Sequence, residues 1–297
     1  MLGSAAGGGL PQWNCSCSNC QAARQGKIKS RSQSSIAISS DDGARWFLVN
    51  ASPDLTSQIE ATPDLQPSRS SSRNSPIAGI LLTNADLDHV LGLFSLREGA
   101  APLHLHATSS IRATLENCLG LTHVLGVFRG LVWHEPPMTF SSLEPGSQIP
   151  LEYCAIPLPG NPPPYDNADR DRQGVHSVAY QFRDKKSGRT LVVAPDVASV
   201  TQDLQNALNE ADAALFDGTF WSPGELSEVR PGARSSDQMG HITMEQSIEF
   251  LKALPARTKA YVHINNTNPS LMPDSEQHRQ LQAAGLQLAE DGMEFEL

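Results

Sequence analysis

The run Ile77-Ala78-Gly79-Ile80-Leu81-Leu82-Thr83 stops abruptly at Asn84-Ala85-Asp86-Leu87-Asp88-His89, and no other junction constrains the chain as much. A continuous apolar run of this length suits a buried strand. Leu87, Val90, Leu91 and Phe94 then recur at helical spacing, so a helix is predicted over 84–98. A buried strand that hands over to a helix belongs in a layered α/β fold.

The rest of the sequence repeats that grammar. Residues 34–38 and 46–49 flank Asp41-Asp42-Gly43 and read as a hairpin. Residues 61–76, rich in Ser, Pro and Arg, read as a solvated excursion. Leu103-His104-Leu105-His106 alternates as a strand, and 109–119 reads as a helix with a serine cap. A β-rich middle runs through Trp133, Phe140 and 149–158, and Pro159 to Pro164 must be extended loop. Residues 178–182 and 190–194 flank Lys185-Lys186-Ser187-Gly188 as a second hairpin. Helices are predicted over 202–211, 243–254 and 274–284, with a strand over 259–264. Two sheets with helices packed outside fit this pattern, as a single domain over 1–297.

Composition removes whole classes of function. Of 297 residues, 39% are hydrophobic and 18% charged, which fits a globular chain rather than a disordered one. No apolar run approaches the roughly 18 residues of a bilayer span. The small, uncharged N-terminus lacks the basic region of a secretory signal. A net charge of −10 opposes a nucleic-acid backbone. A cytoplasmic protein acting on a small molecule or peptide is expected, with no nucleic acid and no membrane insertion.

Five cysteines include the triplet Cys15, Cys17 and Cys20. Near neighbours on a short loop meet disulfide geometry poorly, whereas three thiolates on a turn can face one zinc ion. A structural zinc on a loop at about 10–25 is therefore expected, against the alternative of a reactive tail. Cys118 and Cys154 read as small packed hydrophobes.

Polar side chains gather where strands end. Asn84, Asp86, Asp88 and His89 follow one strand, Asp196 another and His263 a third; His176 precedes a strand and His241 precedes a helix. Aspartate with histidine suits zinc, iron or manganese. Each has a plainer reading. Asp86 or Asp88 can cap the following helix, and His241 can be an ordinary loop histidine. His104 and His106, two apart on one strand face, read as strand residues, and His123, His134 and His278 as core or surface residues.

Asn84-x-Asp86-x-Asp88-His89, with Asp196 and His263 on later strand ends, resembles the metallo-β-lactamase superfamily signature His-x-His-x-Asp-His. Residues 4–9, Pro11-Gln12-Trp13-Asn14-Cys15, residues 50–54, 96–99 and 217–221, Met239-Gly240-His241 and His263-Ile264-Asn265-Asn266-Thr267-Asn268-Pro269 resemble, more narrowly, the pyrroloquinoline quinone (PQQ) biosynthesis protein B family. The resemblance implies an α/β fold, a metallo-β-lactamase-like αββα sandwich. It implies a place in PQQ biosynthesis, as an Fe(II)-dependent hydroxylase of the tyrosine ring in a Glu–Tyr-derived precursor. Transport of PQQ or its precursor toward the periplasm is the alternative role, and a metal-dependent hydrolase a third.

Carried onto this chain, the signature implies Asp88, His89 and His263 as catalytic metal ligands with Asp196 beside them. Asp86, His176 and His241 are further candidates. Asn84 and Asp86 replace the two histidines that hold the other metal of a two-metal hydrolase, the pair that clamps hydrolytic displacement at a separation of ~4 Å. Two histidines and one carboxylate are the set that non-haem iron uses. A phosphodiesterase of the same superfamily completes a similar cysteine triplet with a histidine where Asn266 stands. Arg97, Asn265 and Asn266 are expected to bind substrate, with an Arg97–Glu98 ion pair as the alternative for Arg97. Phe220, Trp221 and Tyr165 are candidates for an apolar slot. Other PQQ-pathway proteins and a homodimer are compatible partners.

Overall fold

Strand and helix alternate as the apolar runs predict. The computed structural model describes residues 1–69, 71–99, 101–144, 146, 149–166 and 173–297. Two compact units divide the chain, one of residue 2 with 35–188, the other of residues 1, 3–34 and 189–297. The first helix of the second is α1 (Ser18–Arg24), with Cys17 at its N-cap.

In the 35–188 unit, β1 (Ile36–Ile38) and β2 (Trp46–Val49) form the expected antiparallel hairpin, Ile36 opposite Val49. Helix α2 (Leu55–Ala61) follows, then β3 (Ile77–Leu81). The helix predicted over 84–98 is divided into α3 (Leu87–Val90) and a 3₁₀ segment, Leu91–Leu96. Gly92 accounts for the break. A Cβ there would lie 2.1 Å from the Ser52 carbonyl oxygen, and its N–H instead bonds the Ala51 carbonyl at 3.0 Å.

Next come β4 (Leu103–His106) and α4 (Ser109–Leu119), capped by Thr108 Oγ1 rather than by a serine. Cys118, on the last turn of α4, is exposed rather than packed. An additional helix, α5 (Leu121–Gly126), precedes β5 (Leu131–His134). Strands β2 to β5 run parallel, and Leu48, Leu55, Ile80, Leu82, Leu93 and Leu105 bury completely in one cluster. Each such side chain contributes about 2 kcal/mol relative to exposure. Strands β6 (Ser141–Ser142), β7 (Leu151–Leu158) and β8 (Ser177–Asp184) form an antiparallel meander.

The other unit continues with β9 (Thr190–Ala194), α6 (Gln202–Glu210), β10 (Ala213–Asp217), α7 (Glu225–Val229), α8 (Met244–Ala253), β11 (Thr258–Val262), α9 (Glu276–Ala283) and β12 (Gln287–Leu288). All four strands are parallel in the order β9-β10-β11-β12. Thr243 and Gln246 close a reciprocal capping box on α8. Ala5 bridges both Gln33 and Ile264, tying the first residues to the end of β11. Among the described residues no helix is long and apolar enough to cross a membrane.

Candidate metal centre

Parallel register decides which polar residues meet. With Phe216 opposite Ala194 and Asp217 opposite Val262, the C-terminal ends of β9, β10 and β11 share one edge. Asp196, Asp217 and His263 follow from that edge, where ligands of parallel α/β sheets collect. Asp196, His241 and His263 offer donor atoms within 4.8 Å of one another. Asp196 Oδ1 lies 3.6 Å from His263 Nδ1 and 3.8 Å from His241 Nδ1. His263 adopts a left-handed backbone (φ 56°), an uncommon conformation for a residue with a Cβ and one that marks functional positions.

Asp217, fully buried, organises this edge. It accepts hydrogen bonds from the Val197 and Thr219 amides (each 2.9 Å), Thr219 Oγ1 (2.7 Å) and His241 Nδ1 (2.8 Å). Burial works against its charge, but His241, then His263 and the Val197 amide outweigh it and hold the carboxyl below the usual range. Since the Thr219 hydroxyl donates to Asp217, its oxygen accepts from His263 Nδ1 at 2.8 Å. In their neutral form both imidazoles therefore carry their proton on Nδ1, which leaves Nε2 as the ring nitrogen with a donor lone pair.

The 35–188 unit builds a comparable edge from β2 and β3, with Val49 opposite Leu81. Asn50, left-handed at φ 65°, takes the Thr83 amide on Oδ1 at 3.0 Å and donates Nδ2 to Thr83 Oγ1 at 3.0 Å. His89, fully buried, presents Nδ1 to Asn84 Oδ1 at 2.8 Å and to Thr83 Oγ1 at 3.3 Å. Its Nε2 lies 3.8 Å from Asp88 Oδ2, a gap that one ion bonded at ~2.1 Å to each can span. Asp86 stands at the N-cap of α3 without a side-chain cap bond. Nitrogen and carboxylate donors fit a divalent transition metal beside His89 and Asp88, and at the other edge His241 and His263 would reach one through Nε2, since the Nδ1 atoms nearest Asp196 carry the protons.

Cys15, Cys17 and Cys20 meet as expected, with sulfurs within 4.8 Å of one another. Asn266 lies against the group. Its Nδ2 lies 3.2, 3.5 and 3.3 Å from the three sulfurs in order. Asn19 Nδ2 pins the same segment through the Asn266 and Asn268 carbonyls. Burial pushes the Cys20 thiol up to about 11, whereas hydrogen bonds from Cys17 and Asn266 hold Cys15 below its ordinary value against burial. Three sulfurs fit a zinc ion whose fourth ligand comes from elsewhere, since Asn266 turns a hydrogen-bond donor toward them.

Asn265 does not share the environment of Asn266. It donates to Thr267 Oγ1, which donates to Glu225. Glu225 also accepts from the Trp221 amide at 2.6 Å, and its burial raises the carboxyl to about 7. A cavity of about 440 Å³ opens beside Glu225, lined also by Asn19, Trp221, Glu245 and Met272. Phe220 and Trp221 are buried, Trp221 with its indole on Glu245, and the Tyr165 hydroxyl bonds the Ala85 carbonyl.

Arg97 stays half-exposed, over the Phe128 ring and 4.0 Å from Glu98. His176 is buried at the start of β8. His104, His134 and His106 stack in that order, and His106 Nδ1 meets the Tyr153 hydroxyl at 2.9 Å. Burial, with its two neighbours, lowers His106 to about 3, so it is neutral. The sequence reading missed Asp217, Thr219, Asn50 and Thr83 as supports of the histidines. The signal was there, a polar residue at the end of an apolar run each time, but β10 is alanine-rich and does not announce a strand.

A family profile, the Beta-lactamase superfamily domain, matches residues 45–264. Coenzyme PQQ synthesis protein B of Cupriavidus taiwanensis is 42% identical over 100% of this chain and 98% of its own length. Its namesake in Azotobacter vinelandii is 39% identical over 100% and 99%. The crystal structure of Zn(2+)-bound PqqB from Methylobacterium extorquens superposes with a TM-score of 0.89 at 38% identity, over 100% of this chain and 98% of that one. A diphosphatase of the PhnP family shares the fold at a TM-score of 0.68 and 20% identity, over 98% and 93% of the two chains. Matched from end to end by these relatives, the chain has the metallo-β-lactamase fold and belongs to the Coenzyme PQQ synthesis protein B family.

Proposed function

We propose that this chain acts in PQQ biosynthesis as an Fe(II)-dependent hydroxylase of the tyrosine ring in a Glu–Tyr-derived precursor. The observation that carries the reading is the pairing of an intact Asp88, His89 and His263 set with Asn84 and Asp86 in place of two signature histidines. Two imidazoles and a carboxylate leave open positions at one metal, whereas a two-metal site clamps a hydrolytic displacement between its ions. Asp88, His89 and His263 would hold the iron with Asp196 beside them, and iron would supply oxygen activation.

The chain's own groups do the rest. Asp217 with Thr219, and Asn84 with Thr83, keep the imidazole protons on Nδ1. Arg97 is the proposed anchor of a substrate carboxylate, which a guanidinium binds bidentately. Cys15, Cys17 and Cys20 are the proposed holders of a structural zinc, with water or a residue from another loop as the fourth ligand.

The test is incubation of anaerobically Fe(II)-loaded protein with a Glu–Tyr substrate, oxygen and a reductant. Product mass should rise by whole oxygen atoms and the activity should vanish in Asp88→Ala, His89→Ala and His263→Ala. Full turnover without oxygen, or with zinc in place of iron, would return the chain to the hydrolases.

A further inference from the structure

We propose that Asn84 is a positioning residue that commits His89 to a single tautomer, so the signature's lost histidine has become a support for the one that remains. The inference rests on the reading of His89 as a metal ligand. Asn84 Oδ1 accepts the backbone N–H of Asp86 at 3.0 Å. A backbone amide can only donate, so the atom that faces it is the oxygen and the orientation of the Asn84 amide is fixed. The same oxygen lies 2.8 Å from His89 Nδ1. Nδ1 must then carry the proton, because two lone pairs at that distance repel. Thr83 Oγ1, 3.3 Å away, accepts from Asn50 Nδ2 and sits within 3.2 Å of Asn50 Oδ1, to which its own proton can go. It reinforces the choice but at longer range.

Nε2 of His89, on the side of Asp88, is left with the lone pair. A histidine at position 84 could not perform this service while holding its own metal through the ring. The substitution therefore exchanges a ligand for orientation, and a hydrogen bond to the far nitrogen is what raises the basicity and fixes the direction of a metal-bound imidazole.

The experiment uses the full-length protein given one equivalent of zinc for the thiolates of Cys15, Cys17 and Cys20, with the His89 edge left empty, as wild-type, Asn84→Ala, Asn84→Asp and His89→Ala chains. Long-range 15N NMR at alkaline pH reports the His89 tautomer before any further metal is added. Manganese(II), which suits oxygen and nitrogen donors rather than thiolates, then reports affinity through the spin-resonance signal of the free ion. Wild type should show the proton on Nδ1. Asn84→Ala should show a mixture and bind manganese about 10- to 100-fold more weakly, and Asn84→Asp, which keeps the acceptor, should restore both. A pure Nδ1 tautomer with wild-type affinity in Asn84→Ala would overturn the proposal, as would an Asn84→Asp chain as impaired as the alanine variant. Failure of the ligand reading looks different: His89→Ala would keep full manganese affinity.

Discussion

Replacing Glu225 by glutamine isolates the cost of keeping a charge beside the cavity. The carboxyl lies 6% exposed against the Trp221 amide and the Thr267 hydroxyl, and burial lifts it from an ordinary 4.5 to about 7 despite those donors. Between these values the native state keeps a proton that the unfolded chain has released. Stability from this group is therefore greatest at low pH and declines as pH rises from 4.5 through 7. At 1.36 kcal/mol per pH unit, that interval corresponds to about 3 kcal/mol. Glutamine fills the same space without ionising. Urea unfolding of both chains at about pH 5 and pH 8 measures the difference. Near pH 5 the two should be alike within about 1 kcal/mol, and near pH 8 the glutamine variant should be more stable by about 3 kcal/mol. A variant less stable at the higher pH, or one with the wild-type pH dependence, would mean that the hydrogen bonds outweigh desolvation here.

Gly92→Ala should destabilise the chain by about 3 kcal/mol in thermal unfolding, because the added methyl would sit 2.1 Å from the Ser52 carbonyl oxygen; a change under about 1 kcal/mol would show that the 3₁₀ segment yields. Serine at Cys15, Cys17 and Cys20 together should remove about one zinc per chain in elemental analysis, and unchanged zinc would refute the assignment. Arg97→Ala should raise KM for a Glu–Tyr substrate with metal content and fold unchanged; loss of folding would favour its contacts with Glu98 and Phe128 instead. Asp217→Ala should cost about 4 kcal/mol, since it strands the buried donors of Val197, Thr219 and His241, and denaturation with metal-free protein checks it.

Much of this architecture was legible because strands and helices carry their own period. The run 77–83 gave β3, the 34–49 pattern its hairpin, and the acidic and histidine residues at strand ends pointed to the edges where Asp196, His263 and His89 lie. The break after Val90 was not legible, since it depends on a carbonyl from Ser52, forty residues earlier in the chain. Nor was β10, whose Ala213-Ala214 start carries little β-propensity and which becomes a strand by pairing on both sides. The supports of the imidazoles escaped for a related reason: Asn50 and Thr219 have roles only through the register that brings them to His89 and His263. Cys118 failed differently, as an apolar neighbourhood in sequence does not establish burial at a helix end.

The crowding of Cys15, Cys17 and Cys20 under the Asn266 amide bears on how the protein must be handled. Bare thiols are open to stepwise oxidation by air, and a sulfur taken to the sulfinic level cannot accept an ion afterwards. Air exposure during metal stripping would split a preparation into loadable chains and chemically closed ones. Substoichiometric zinc in such a sample would then measure its history, and thiol counting before reconstitution would tell the two populations apart.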